Sequence, residues 1–165
     1  MSPSFPDDAA RRPVPSAAEA DAATILVVDD EPALLRLMEF LLTRQGYHLI
    51  TASNGEEALE VIRARRPDLI VMDIMMPKLD GYQVTEALRA DPDPGLAAIP
   101  ILMLSAKAQD EDIARGLEVG GEAYITKPFD PELLAVAVAA MLRGEPVPDP
   151  PAMTPTARTG TGTTN

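Results

Sequence analysis

Strand-like and helix-like hydrophobic patterns alternate five times between residues 24 and 144. The strand-like segments are short, nearly continuous apolar runs, which is typical of parallel strands covered on both faces. The segments between them carry apolar residues at helical spacing, and several begin with a capping residue or a proline. Five such units with short connections predict an α/β fold, a doubly wound parallel sheet with helices on both faces. The predicted strands are residues 24–29, 47–52, 68–73, 101–104 and 123–126.

Both ends of the chain lack this periodicity. Residues 1–23 are rich in Pro, Ala, Ser and Asp, and residues 145–165 are rich in Pro and then in Thr and Gly. Such compositions bury too little apolar surface to offset the entropy lost on ordering. The predicted organisation is a disordered N-terminal extension (1–23), one folded domain (24–144) and a disordered C-terminal tail (145–165).

Charge and composition narrow the range of partners. The formal net charge of −12 repels the phosphates of nucleic acid and anionic membrane surfaces, so we expect neither as a direct partner. The absence of cysteine excludes disulfides and thiolate metal sites. No apolar run approaches the roughly 18 residues that a membrane span needs, and no export signal follows Arg11 and Arg12. A soluble cytoplasmic protein is therefore expected.

Polar residues gather where the predicted strands end. Asp29 and Asp30 follow the first strand, Asp73 ends the third, Ser105 follows the fourth and Lys127 follows the fifth. In open parallel sheets these ends meet at one edge, where the functional crevice lies. Clustered carboxylates repel one another unless a proton or a cation joins them. Oxygen ligands without His or Cys favour a hard ion, and Mg²⁺ with several retained waters fits best.

A carboxylate at this edge can also act as a nucleophile toward phosphorus and form an acyl phosphate. Such a transfer requires neutralisation of the phosphoryl oxygens more than acid–base chemistry. Mg²⁺, the Lys127 ammonium and the Ser105 hydroxyl would together supply it. The pattern therefore predicts transfer of a phosphoryl group to Asp73.

These segments resemble the receiver domain of two-component response regulators. The matching motifs are VVDDEP with its acidic pair, LIVMDIMMPKLDG with Asp73, ILMLSAK with Ser105 and AYITKPF with Lys127. The resemblance covers residue 24 to about residue 144. It implies a flavodoxin-like (CheY-like) fold with strand order 2-1-3-4-5.

The resemblance also implies an acceptor and its metal ligands. Asp73 would receive the phosphoryl group from a sensor histidine kinase or a phosphotransfer protein. Asp30 and Asp73 would bind Mg²⁺ directly, and Asp29 mainly through water. The backbone carbonyl of Met75 would be a further ligand.

Four more residues receive roles from the same resemblance. Lys127 would pair with the phosphoryl group, and the peptide bond before Pro128 would be cis, which is rare enough to be meaningful. Ser105 and Tyr124 would form a switch pair. In that pair the hydroxyl moves toward the phosphate and the aromatic ring turns inward.

The fourth and last predicted helices (residues 111–119 and 131–143) suggest how the switch would reach a partner. Ile113 and Leu117 are expected to face inward from the fourth helix. The last helix has Ala137 and Ala139 where many DNA-binding receivers carry basic residues, which argues against a dimer held by charge pairs. Because this helix is apolar nearly all round, the face formed by both helices and the fifth strand is predicted to dock a downstream protein or a second copy.

The leading interpretation is a stand-alone receiver, a phospho-acceptor switch rather than an enzyme, which assists its own phosphorylation and dephosphorylation. Two other signalling roles stay open: a fragment of a longer regulator, and a phosphorelay intermediate that passes phosphate to another histidine. An aspartate-nucleophile phosphatase would need a second acid where Met75 stands. A flavin carrier would need a phosphate-binding loop where Asp30, Glu31 and Pro32 stand.

Overall fold

Five parallel strands form the centre of the structure, a computed structural model that describes residues 22–106 and 109–147. Their order across the sheet is β2-β1-β3-β4-β5, and all four neighbouring pairs are parallel. The flavodoxin-like fold and the strand order predicted from the sequence are therefore confirmed. The strands are β1 (Thr24–Val28), β2 (His48–Ala52), β3 (Leu69–Asp73), β4 (Ile101–Ser105) and β5 (Ala123–Thr126).

In the described part of the chain, six helices cover the two faces of this sheet. Side chains alternate between the faces along each strand, so Ile25 and Val27 join one core cluster while Leu26 and Val28 join the other. The first cluster is completed by α1 and α6, and the second by α2 and α3. The helices are α1 (Pro32–Thr43), α2 (Gly55–Arg65), α3 (Gly81–Arg89), α4 (Pro94–Ala97), α5 (Asp110–Glu118) and α6 (Pro131–Leu142).

Local capping chemistry explains where several helices begin. The Asn54 side chain accepts a hydrogen bond from the backbone of α2, and Asp80 forms a reciprocal capping box with Gln83 at the start of α3. Asp130 caps α6. The short helix α4 is not among the elements predicted from the sequence, because its proline and aspartate residues are also typical of turns.

The prediction that Leu117 faces inward was wrong. Its side chain is 46% exposed, and the buried position on this part of α5 is the neighbouring Gly116. Helical periodicity identified an amphipathic helix but misplaced its inward face, because a glycine carries no apolar signal.

The segments predicted to be disordered lie almost wholly outside the described residues, so their disorder stays a prediction. At the C-terminal boundary Val147 is described, and it packs against the core cluster of α1 and α6. Among residues 22–106 and 109–147, no helix has both the length and the apolar character that a membrane span requires.

Arg89, at the end of α3, ties together the edge of the sheet where the strands begin. Its guanidinium group donates five hydrogen bonds of 2.8–3.0 Å, and its side chain is 21% exposed. The acceptors are the backbone carbonyls of Ala97, Ile99 and Gly120 and the carboxylate of Glu122.

Replacement of Arg89 by methionine should lower the free energy of unfolding by about 2–3 kcal/mol, because three partly buried carbonyls lose a charged donor. The matched control is Arg63→Met, since the Arg63 side chain is 55% exposed and lies 3.6 Å from Asp91. An exposed pair of this kind contributes about 0–1 kcal/mol. Urea denaturation measures both losses, and equal losses would contradict the assigned role of Arg89.

Candidate functional site

Three carboxylates meet where β1 and β3 end. One oxygen from each of Asp29, Asp30 and Asp73 lies within 4.8 Å of the other two. The parallel pairing of Val28 with Met72 places the two strand ends side by side. Asp29 and Asp73 are buried, whereas Asp30 is exposed. The structure thus brings together the three acids that the sequence placed at this edge.

The Lys127 ammonium group reaches this cluster from the end of β5. Its Nζ atom lies 3.0 Å from Asp29 Oδ2 and 3.4 Å from Asp73 Oδ1. The other oxygen of Asp29 accepts the backbone N–H of Glu31 at 2.9 Å, so Asp29 also holds the loop before α1. The peptide bond between Lys127 and Pro128 is cis. The backbone N–H of Lys127 donates to the Ser105 carbonyl at 2.8 Å.

The charges of this site are incompletely balanced. Burial, followed by the nearby charge of Asp29, raises the pKa of Asp73 to about 6, although Lys127 opposes the shift. Burial acts against the charge of Lys127, yet its hydrogen bond to Asp29 and the charge of Asp73 outweigh that effect and raise the pKa of Lys127. Three carboxylates therefore gather at a site with one ammonium group, which contacts two of them.

The donor set fits a divalent cation. A raised carboxyl pKa in a cluster of acids signals a place where added positive charge would be favourable. The donors are oxygen atoms only, which favours a hard ion such as Mg²⁺ over zinc or copper. Met75 lies two residues after Asp73 in the sequence. It is 55% exposed, and its backbone N–H is hydrogen-bonded to the Asp73 carboxylate. Metal binding by the Met75 carbonyl stays a prediction.

The structure also places Ser105 beside Tyr124. Ser105 ends β4 and is fully buried, and Tyr124 lies on the adjacent strand β5. Ser105 and Tyr82 both lie close enough to Tyr124 to influence the pKa of its hydroxyl group. Burial, followed by the proximity of Tyr82, raises the pKa of Tyr124. The two residues named as a pair from the sequence are thus neighbours, and Tyr82, which the sequence did not single out, lies near them.

Gly81 is a further residue of the site that the sequence analysis used only as part of a motif. A Cβ atom at this position would lie 2.7 Å from the Asp73 carbonyl oxygen and 2.8 Å from Ile74 Cα. The backbone N–H of Gly81 donates to the Ile74 carbonyl at 2.9 Å. The missing side chain lets the start of α3 approach the end of β3, which fixes the backbone that carries Asp73. The glycine directly after the capping residue Asp80 was the available signal.

Comparison with known proteins gives a consistent assignment. Residues 25–139 match the family model described as the response regulator receiver domain. Among solved structures, the receiver domain of a signal transduction histidine kinase from Syntrophus aciditrophicus is 36% identical, with a TM-score of 0.69 over 74% of this chain and 92% of that one. The chemotaxis response regulator CheY4 of Vibrio cholerae is 32% identical, with a TM-score of 0.66 over 74% of this chain and 98% of that one.

Similar curated proteins are longer than this chain. The probable transcriptional regulator ycf27 of Pyropia yezoensis is 50% identical over 119 residues, which are 72% of this chain and 47% of that protein. The alkaline phosphatase synthesis transcriptional regulatory protein PhoP of Bacillus subtilis is 47% identical over 126 residues, 76% of this chain and 51% of that protein. The chain thus spans about half the length of these relatives. Because they are transcriptional regulators, the expectation that nucleic acid is not a direct partner receives no support.

Replacement of Asp73 by asparagine should stabilise the metal-free protein at neutral pH. The folded carboxyl has a pKa of about 6 instead of its ordinary 3.8, so ionised Asp73 destabilises the fold by on the order of 2–3 kcal/mol. As the pH falls from about 6 to 4, the folded wild type binds a proton that the unfolded chain does not. The wild type therefore gains stability relative to Asp73→Asn over this interval, and the difference disappears below about pH 4.

Urea denaturation in chelator at several pH values measures this difference. Asp93→Asn is the control, because hydrogen bonds from Arg66 and the Gly95 backbone lower the pKa of Asp93. That variant should not gain stability at neutral pH. A neutral-pH loss of stability in Asp73→Asn would show that the ionised carboxylate is favourable in the fold.

Proposed function

The chain belongs to the response regulator receiver domain family, and from this premise we propose that it is a phosphorylation switch with Asp73 as its acceptor. The observation that carries the proposal is the position of Lys127, 3.0 Å from Asp29 and 3.4 Å from Asp73. An ammonium group held between two buried carboxylates is suited to pair with an incoming phosphoryl group. The donor would be a sensor histidine kinase or a phosphotransfer protein.

The transfer uses the ionised carboxylate of Asp73. One of its oxygens attacks the phosphorus of the donor's phosphohistidine, and a new oxygen–phosphorus bond forms. The bond from phosphorus to the histidine nitrogen breaks, and the nitrogen leaves with the electron pair. With a pKa of about 6, Asp73 is mostly ionised at neutral pH and hence nucleophilic.

Positive charge and hydrogen bonding would stabilise the transferred group. Asp30, Asp73 and the Met75 carbonyl would hold Mg²⁺ directly and Asp29 mainly through water, and the ion would supply charge neutralisation for the carboxylates and phosphoryl oxygens. Lys127 would pair with another phosphoryl oxygen. A hydrogen bond from Ser105 would complete the set and couple the acceptor to Tyr124. The protein would assist these steps without acting as an enzyme on a separate substrate.

A second candidate role follows from the length of the relatives. Because the chain spans about half of the transcriptional regulators that it matches, the receiver is also consistent with a part of a longer regulator. In that case direct nucleic-acid contact would belong to another domain. Onward transfer of the phosphate to another histidine stays an open alternative, and a cytoplasmic location stays a prediction.

The output surface would be the face formed by α5, β5 and α6. Leu117 on α5 and Val136 on α6 are large apolar residues that are 46% and 47% exposed. Exposed apolar side chains of this kind favour docking by apolar contact over docking by ion pairs. A downstream protein or a second copy would bind here after phosphorylation.

The acceptor is tested by incubation with acetyl phosphate and Mg²⁺ followed by mass spectrometry of the intact protein. The wild type should gain the mass of one phosphoryl group, and Asp73→Asn should gain none. Asp30→Asn should react at least tenfold more slowly, because a metal ligand is lost. Asp93→Asn, an acid at the opposite edge of the sheet, should react like the wild type. An equal mass gain in Asp73→Asn would exclude Asp73 as the acceptor.

The output surface is tested by sedimentation with and without beryllofluoride, a mimic of the phosphoryl group. Val136→Glu should abolish any association that beryllofluoride and Mg²⁺ induce in the wild type, because a charge would be buried in the contact. Phe40→Glu is the control, since Phe40 is 56% exposed on α1. Identical sedimentation of the wild type and Val136→Glu in both conditions would remove self-association through this face.

A further inference from the structure

Asp29 is the most deeply buried acid of the cluster, and each of its two oxygens faces a donor of this chain. Only 1% of Asp29 is exposed. Its Oδ1 atom accepts the backbone N–H of Glu31 at 2.9 Å, and its Oδ2 atom accepts a hydrogen bond from Lys127 Nζ at 3.0 Å. Because the first bond fixes the carboxylate against the loop before α1, the second oxygen presents a fixed acceptor to the ammonium group.

The ammonium group of Lys127 is shared unequally between the two buried acids. Its Nζ atom lies 3.0 Å from Asp29 Oδ2 and 3.4 Å from Asp73 Oδ1. Hydrogen bonds between charged groups are usually about 2.7–2.9 Å long, so the contact with Asp73 is the looser of the two. The Lys127 side chain is 21% exposed, so its position depends on these two acids and not on core packing alone.

The position of the ammonium group matters for the proposed phosphoryl transfer. The attacking oxygen of Asp73 must offer a lone pair to phosphorus. An ammonium group bound tightly to Asp73 would occupy that lone pair and make the oxygen a poorer nucleophile. An ammonium group has three N–H donors, so one that is anchored on Asp29 keeps donors for the oxygens of the incoming phosphoryl group.

We propose that Asp29 is a positioning residue that holds the Lys127 ammonium group away from Asp73, so that the acceptor keeps a free oxygen before transfer. The inference deepens the proposed function and rests on it. It adds a second role to the expected contact of Asp29 with Mg²⁺ through water. Without the negative charge of Asp29, the ammonium group would move onto Asp73.

Asp29→Asn removes this contact with the smallest change of shape. The amide oxygen can still accept the Glu31 N–H, whereas the amide nitrogen is a donor and cannot accept from an ammonium group. Asp68→Asn is the matched control, because Asp68 directly precedes β3 at the opposite edge of the sheet and its carboxylate accepts the backbone N–H of Thr24 at 2.8 Å. Circular dichroism should show that both variants are folded.

The first measurement is made in chelator and without a phosphoryl donor. The chain has three lysines, so NMR of protein with ¹³C at the lysine ε-carbons gives three signals, and Lys127→Met identifies that of Lys127 by its loss. Asp29→Asn should displace the Lys127 signal further than Asp73→Asn does, because Asp29 is the closer partner. Asp68→Asn should leave the signal unchanged. A larger displacement in Asp73→Asn than in Asp29→Asn would overturn the positioning role.

The second measurement separates positioning from metal binding. The rate of mass gain from acetyl phosphate is followed while Mg²⁺ is raised to saturation. At saturating Mg²⁺ the rate of Asp29→Asn should be about tenfold below that of the wild type, the lower end of what one hydrogen bond to a charged group contributes. In a Lys127→Met background the same substitution should leave the saturated rate nearly unchanged, because no ammonium group is left to hold.

The outcomes assign the effect to one role or the other. A rate of Asp29→Asn that returns to the wild-type value at saturating Mg²⁺ would reduce Asp29 to a metal-binding role and overturn the proposal. An equal loss in the Lys127→Met background would overturn it as well, since the effect would not pass through Lys127. A wild type that gains no mass from acetyl phosphate would instead defeat the proposed function, and the lysine signals in chelator would still test the pairing of Asp29 with Lys127.

Discussion

The ion pairs of Lys127 are the interaction on which the site depends. The ammonium group belongs to β5, at one edge of the sheet, whereas its 3.0 Å partner Asp29 follows β1, two strands beyond β4. Its contact with Asp73 lies between them at 3.4 Å. A single cation thus connects three strand ends across the carboxyl edge. Because two buried carboxylates share it, the site keeps excess negative charge, and this excess is what makes a divalent cation favourable there.

Two glycines allow neighbouring elements to approach closely around the site. Gly81 lets α3 meet the end of β3, and Gly116 lets α5 meet the ring of Tyr124. Every residue of β3 and β4 is buried, so the polar groups at the ends of these strands are attached to closely packed backbone. At the opposite edge, Arg89 joins backbone carbonyls on both sides of β4.

Two tyrosines lie between the acceptor edge and the start of α5. Ser105 lies at the acceptor edge, and Asp112 lies in the first turn of α5, a helix of the proposed output face. Between them lie Tyr124, whose ring packs against Gly116 of α5, and Tyr82, whose hydroxyl group donates to the Asp112 carbonyl at 3.0 Å. Packed side chains therefore fill the space between the acceptor edge and α5.

The sequence by itself determined the architecture and the inventory of the site. Continuous apolar strands, helical spacing and caps such as Asn54 and Asp80 are local signals, since each depends on residues a few positions apart. They were enough to place Asp29, Asp73 and Lys127 at one edge once the strand order was known.

Only the tertiary structure decided how these groups interact. The pKa of Asp73, the pairing of Lys127 with a residue 98 positions away and the bond from Tyr82 to Asp112 all depend on distances between separate elements. Leu117 was misplaced for the same reason: periodicity describes a helix, but the neighbour that fills the space beside Gly116 comes from β5.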